Sequence, residues 1–375
     1  MTGPDANMPQ NNGQGTPQNT AQDTGHGVEQ NELSRRDFLR RAAGASAIAL
    51  AGAGLAAVLL DRQGPPASDA ATSAKGLGDF SMAELRGKPG RMAIVRSEVR
   101  SRVDSGNAQP DRKAMLERAL TALGGLGAFI KPGDRVLLKV NAAFATSPLL
   151  GATTHPDLVA AMAGLCLSAG AASVALTDNP IHSPESCFAL TGIAEAAAKS
   201  GARVILPNEA LFAPVSIPPS GNIGGRLIRD WPALAGAFKG VTKLIALSPV
   251  KDHHRAGASM TLKNFYGLLG GRRNVFHQDI NGIIAELALL VRPTLCVLDG
   301  VSVMLTNGPT GGSLSDLKAM NVLAVSTDPV AADSFGMELL GRAVTEAPYI
   351  TLAQTAGAGS ADYTTLNPQF LDLGA

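Results

Sequence analysis

The densest run of chemically capable side chains is Lys251-Asp252-His253-His254, followed closely by Thr261-Leu262-Lys263-Asn264-Phe265-Tyr266-Gly267. A neutral imidazole is a general base near neutral pH and a common metal ligand. Adjacent histidines point apart on regular structure, so on a loop one of the two would reach a ligand. Lys263 could hold an anion or act as a base tuned by burial, and Asn264 could donate or accept beside it. His253, His254 and Lys263 are therefore the candidate catalytic residues. Placed on a helix at about 100° per residue, Leu262, Phe265, Tyr266 and Leu269 share an apolar face, and Lys263, Asn264 and Gly267 share the other. Gly267 costs a helix about 1 kcal/mol relative to alanine; close approach of a ligand to the backbone would explain it. A plain amphipathic helix with a solvated lysine gives the same periodicity.

Further polar residues close the apolar runs. Lys139 and Asn141 end one, Asp178 and Asn179 the next, and Asp299 follows Leu298. In open α/β sheets ligands gather beyond the carboxyl ends of strands, so Lys139, Asn141, Asp178 and Asn264 are candidate substrate-binding residues. Gly311 joins them from the loop Asn307-Gly308-Pro309-Thr310-Gly311-Gly312, whose backbone N–H groups could cradle an anion. That loop lacks the Lys-Ser/Thr of a P-loop, so nucleotide hydrolysis is not supported. Asp299, Asp333 and His155 are candidate metal ligands, although their spacing matches no dedicated motif such as HExxH. His155 also reads as a helix cap, and Asp328 before Pro329 as another. Loops are polar in any protein, so the functional reading requires these distant groups to share one pocket.

The elements that would position them alternate. Apolar strands are expected at 92–95, 135–140, 173–177, 203–206, 243–247, 294–298 and 322–325, and helices at 111–123, 156–169, 192–200, 281–290 and 329–340. Short apolar strands separated by helices predict an α/β fold with mostly parallel sheet, in one body or two lobes around a cleft, and helices on both faces. The Pro- and Gly-rich stretch 211–234 reads as an insertion or a hinge.

Composition narrows the function. With 45% hydrophobic residues, the 375-residue chain can fill one large core or two coupled ones. A net charge of +1 and 4% aromatics give neither the basic stripe nor the stacking surface of a nucleic-acid binder. Cys166, Cys187 and Cys296 are far apart, so no cysteine-ligated iron–sulfur cluster is expected. Cys166 and Cys296 read as small buried apolar residues.

The N-terminus reads as an address. Residues 1–33 are rich in Gln, Asn, Gly, Pro and Thr and are expected to be disordered. Ser34-Arg35-Arg36-Asp37-Phe38-Leu39-Arg40 and the uncharged run 42–60 look like a twin-arginine export signal, carried by Arg35, Arg36, Phe38 and Leu39, with Arg40 where lysine is usual. The signal and its linker would occupy 34–74. The resemblance implies the twin-arginine translocase as partner and a periplasmic or other extracytoplasmic location. The run is about long enough to span a bilayer, so both a cleaved signal and an uncleaved membrane anchor are open.

The remaining segments resemble the domain of unknown function 362 family. They are Leu137-Leu138-Lys139-Val140-Asn141, Thr153-Thr154-His155-Pro156, Thr261-Leu262-Lys263-Asn264, Asp299-Gly300 with Gly308-Pro309 and Gly311, and Asp328-Pro329-Val330-Ala331-Ala332-Asp333. Val140 departs from the proline usual before Asn. The resemblance implies an α/β domain over 90–345, followed by a tail at 346–375, and a shared polar site; it implies no particular reaction. Some relatives add a ferredoxin-like cysteine run, which this sequence lacks. The expectation is an exported enzyme acting on a small anionic substrate, with a metal ion or organic cofactor left open. The alternative is a non-catalytic ligand-binding or assembly protein at the outer face of the cytoplasmic membrane.

Overall fold

The structure, a computed structural model, describes residues 74–85, 90–98, 111–219 and 223–374. The export motif, including Arg35, Arg36, Phe38 and Leu39, lies outside them. The main sheet has nine strands: β1 (Met92–Ser97), β2 (Arg135–Lys139), β3 (Ser173–Thr177), β4 (Arg203–Ile205), β5 (Lys243–His253), β6 (Gly257–Ser259), β7 (Leu295–Met304), β8 (Leu317–Ser326) and β9 (Gln369–Leu373). Their order is β9-β1-β8-β7-β5-β2-β3-β4, with β6 folded back on β5. Only β8 and the short β6 run against the rest, so the sheet is mostly parallel, as expected.

Side-chain alternation along the strands builds two cores. Val136, Leu138, Ile245, Leu247, Val297 and Val325 face one way, and pack under α1 (Arg112–Ala122), α2 (Pro156–Ser168), α3 (Pro184–Leu190) and α4 (Ile193–Lys199). Leu137, Leu244, Ala246, Cys296, Leu298 and Ala324 face the other way, under α5 (Thr261–Asn264), α6 (Ile280–Leu290), α7 (Pro329–Leu339) and α8 (Pro348–Thr355). A strand buried on both faces has no polar side to show, which is why these runs read as continuous apolar stretches. Cys166, Cys187 and Cys296 are free and buried.

Three departures from the sequence expectations matter for the site. First, β5 continues to His253 and β7 to Met304, so Lys251, Asp252 and His253 lie in a strand rather than a loop, and Asp299 lies inside β7. The extensions are held by partners that no local pattern reveals: β6 pairs with residues 251–253, and β8 pairs with β7 past a bulge between Gly300 and Ser302. Second, residues 261–271 are not one helix. The four-residue α5 passes into a 3-10 turn at Phe265–Leu268. Third, part of the 211–234 stretch forms two short antiparallel strands, Ala213–Ser216 and Trp231–Ala233, joined by Ala74–Lys75 in a small sheet. The tail expected at 346–375 supplies α8 and the edge strand β9, which pairs with β1.

Candidate functional site

The polar residues at the carboxyl ends of β2, β3 and β5 meet α5 and the following turn around a cavity of about 470 Å3. Its foundation is a buried truss. The Lys139 ammonium is fully buried and donates to the Asp178 Oδ1 at 2.8 Å, the Asn264 Oδ1 at 2.9 Å and the Val140 carbonyl at 2.7 Å. Three N–H donors meet three acceptors, so Lys139 has no proton left for a ligand. Burial pulls its pKa down while the Asp178 charge pulls it up. The other carboxylate oxygen of Asp178 accepts from the Ala142 N–H at 2.7 Å. Asn264 donates onward to the Ser248 hydroxyl at 3.1 Å, and the Thr154 hydroxyl ties the Asn141 N–H to the Leu247 carbonyl. Charges taken out of water are tolerated only when paired and fully hydrogen-bonded; this truss meets that condition.

Gly267 belongs to the truss. A Cβ there would lie 1.9 Å from Asp178 Oδ1 and 3.1 Å from Lys139 Nζ. The close approach inferred from the sequence is thus made by a carboxylate of the protein itself, and a larger residue would break the ion pair.

Above the truss the walls are cationic. Lys251, Lys263, Arg273, His253 and His277 line the cavity, whereas Asp178 is the only carboxylate among its described lining residues. The Lys251 ammonium is buried, donates to the Ala152 carbonyl at 2.6 Å and sits 5.5 Å from the centre of the Phe144 ring. Burial, and then the neighbouring Lys263, push it down to about 7. Lys263 has its ammonium 4.3 Å above the Tyr266 ring, and among the described residues no acceptor is within hydrogen-bond reach of it. Burial, with Arg273 next, brings it to about 8. Both amines are therefore poised near neutral pH instead of being permanently charged.

Arg273 and the histidines serve different ends. Arg273 donates to the carbonyls of Tyr266, Leu269, Asn179 and Pro180, clamping the loop after β3 against the turn after α5. The Tyr266 hydroxyl donates to the Arg273 carbonyl. His277 lies 3.3 Å from that hydroxyl, and burial lowers its pKa.

His253 corrects a sequence expectation. Its Nδ1 accepts from the Arg255 and Ala256 N–H groups at 3.2 and 3.1 Å, which places the proton of the neutral ring on Nε2. Burial first, then Lys263, hold it down to about 3. A ring with that pKa does not collect protons near pH 7; its Nε2–H is left as a donor of fixed protonation. His254 stacks on it at 5.2 Å but is exposed and outside the cavity lining, its Nδ1 near the Gly308 carbonyl.

The three residues read as metal ligands do not meet. Asp299 accepts from Arg112 Nε at 2.8 Å, and His155 caps α2 through Nδ1; both line a separate small pocket. Asp333 is buried beneath α5 and accepts from the Thr261 and Leu262 N–H groups at 2.7 and 3.0 Å. It caps a helix distant in sequence. Among the described residues no cluster of three or more His, Cys, Asp or Glu is arranged to hold a metal ion. Gly311 also stands apart from the lining. Its loop wraps the Asp316 carboxylate, which accepts from the Asn307 amide, the Thr306 hydroxyl and the Ser313 N–H. The position where an anion was expected is filled by the protein's own. Asp328 caps α7 through the Val330 and Ala331 N–H groups.

The capping role of Asp333 gives a direct expectation. Asp333→Ala strips two buried N–H donors of their acceptor, each worth about 1–3 kcal/mol. Urea unfolding should show a loss of roughly 3 kcal/mol, with Asp333→Asn recovering part of it.

Lys251 and Tyr266 stand in the run that the sequence singles out, but local pattern gave neither a role in the site. Period-2 alternation would have paired Lys251 with His253 on one face. A tyrosine on an apolar face and a loop arginine such as Arg273 are ordinary features, so their part in the cavity shows only in the folded structure.

The domain of unknown function (DUF362) model matches residues 136–338, from β2 to α7, and so spans the whole truss and the cationic walls. A thylakoid-associated protein of Synechocystis sp. is 31% identical over 233 residues, covering 59% of this chain and 67% of that protein. No solved structure matches the chain. With the model covering more than half of the sequence and the relative matching across two thirds of its own length, the chain belongs to the DUF362 family.

Proposed function

We propose that the cavity binds a small organic anion and that the protein is an enzyme in which Lys263 handles the proton. The observation that carries this is the charge imbalance of the walls. Two lysines, an arginine and two histidines face a single carboxylate that Lys139 already neutralises. Among the described residues Lys263 has no acceptor, and its pKa of about 8 leaves a useful fraction as free amine at working pH. In this reading it takes a proton from the bound anion and returns it, while Lys251 contributes charge that rises when an anion enters. His253 offers an Nε2–H donor of fixed protonation. The alternative is a binding protein without turnover. It is favoured by the cavity groups, Asp178 and Arg273 among them, whose hydrogen bonds are spent on the protein itself.

A thermal-melting screen of carboxylates of three or more carbons and of organic phosphates, all too large for a pocket of about 50 Å3 such as the one beside Arg112, against neutral analogues tests the binding. A ligand at about a hundred times its Kd stabilises by about 2.7 kcal/mol, a shift of several degrees for a chain of this size. Lys263→Met should abolish it. No response to any anion, or an unchanged response in the variant, would refute the reading.

We further propose export through the twin-arginine route, on the motif at 34–40. The double substitution Arg35→Lys, Arg36→Lys should leave the protein in the cytoplasmic fraction, whereas the wild type should fractionate outside the cytoplasm.

A further inference from the structure

A second polar pocket, unrelated to the proposed proton chemistry, lies across a shared strip of chain from the first. The strip is Ala152–Thr153–Thr154–His155. Ala152 gives its carbonyl to Lys251 in the large cavity, Thr154 braces Asn141, and Thr153 and His155 line the small pocket of about 50 Å3. Arg112, Asp299 and Ser302 complete its polar lining.

The small pocket contains an imbalance of hydrogen-bond groups. Arg112 is 4% exposed and spends its Nε on Asp299. Its Nη1 and the Thr153 hydroxyl are both buried, and among the described residues neither has a hydrogen-bond partner. Orphaned buried donors are uncommon, and each costs about 1–3 kcal/mol when nothing accepts from it. His155 adds a third donor. Its Nδ1 accepts from the Asp157 N–H, so the neutral ring carries its proton on Nε2. Asp299, the one carboxylate in the lining, is occupied by Arg112 Nε and by the Val301 N–H. The surplus is therefore of donors, and one of them is a guanidinium N–H, whose hydrogen bond to an oxyanion is charge-assisted. The volume is room for about two waters or one group the size of a carboxylate.

We propose that this pocket is a binding site for a small planar oxyanion of the carboxylate class, held by Arg112 Nη1, the Thr153 hydroxyl and His155. Its chemistry is opposite to the metal centre that the His155 and Asp299 side chains suggest in the sequence. Asp299 already meets the Arg112 charge at 2.8 Å, so the preference for an anion comes from the surplus of N–H and O–H donors and not from net charge.

Formate is the probe. In the full-length protein, sodium formate against sodium chloride at equal ionic strength should raise the melting temperature. The rise should persist in Lys263→Met, which disables only the large cavity. Thr153→Val, nearly isosteric, removes one charge-assisted hydrogen bond and should weaken formate about tenfold or more. Ser302→Ala, at the rim, gives a second reading in case the valine variant folds poorly, with a smaller loss expected. Carbon-13 formate line broadening should follow the same order. The proposal is overturned if formate has no effect on the wild type, which would leave the pocket to water. It is equally overturned if the response vanishes in Lys263→Met and survives in Thr153→Val, which would place formate in the large cavity.

Discussion

Gly267→Ala should destabilise the protein by roughly 3–5 kcal/mol, although helix propensity alone predicts a gain of up to about 1 kcal/mol. The added Cβ falls 1.9 Å from Asp178 Oδ1 and 3.0 Å from its Cγ. The carboxylate must turn away, and Lys139 is then a buried cation without its counter-charge, the situation that makes breaking a buried pair so costly. Urea denaturation measures the loss. A double-mutant cycle identifies the cause. In an Asp178→Ala background the clash is gone, so adding Gly267→Ala should cost much less than it does alone. Additive losses would mean that the glycine is needed for its backbone and not for the ion pair.

The second large effect is on pH dependence. Lys251 and Lys263 are held at about 7 and about 8 in the folded protein, against 10.5 ordinarily. Between those values the unfolded chain binds a proton that the folded one does not. Stability must then rise with pH, by up to roughly 1.4 kcal/mol per pH unit for each lysine. Below pH 7 the slope is mixed, because burial pushes Asp333 up to about 7 and so favours the folded state as pH falls. Above about pH 9 the buried Cys166 and Cys296 thiols, which burial raises above their ordinary value, and then the Tyr349 phenol, also raised, oppose further gain, because the folded chain keeps protons that the unfolded one loses. The clean window is about pH 7 to 9. Chemical denaturation there should show stability climbing for the wild type and a shallower climb in Lys251→Met. A flat profile would mean that both amines titrate as if exposed.

How much of this was legible beforehand follows from the range of the interactions. The apolar runs specify both faces of the sheet, because residues such as Leu137 and Leu138 need opposite cores. The convergence of Lys139, Asp178 and Asn264 was also readable, since strand ends and the Thr261–Asn264 segment are brought together by the topology alone. What a residue does once it arrives was not. Lys139 looks like an anion ligand until its three acceptors are counted. His253 looks like a base until two backbone N–H groups of a hairpin fix its Nδ1. Asp299 goes to the second pocket because Arg112 lies 187 residues away in sequence, and Asp333 caps a helix 72 residues away. Distant partners leave no trace in local pattern.

The central claim is that Lys263 is a free amine poised in an anion-receiving cavity. The most direct measurement is an NMR titration of the protein carrying isotope-labelled lysine side chains, with the Lys263 signal assigned by Lys263→Met. The account predicts a midpoint near pH 8 that moves upward when a small carboxylate binds, because the anion favours the charged amine. A midpoint near 10.5, insensitive to every anion added, would contradict it.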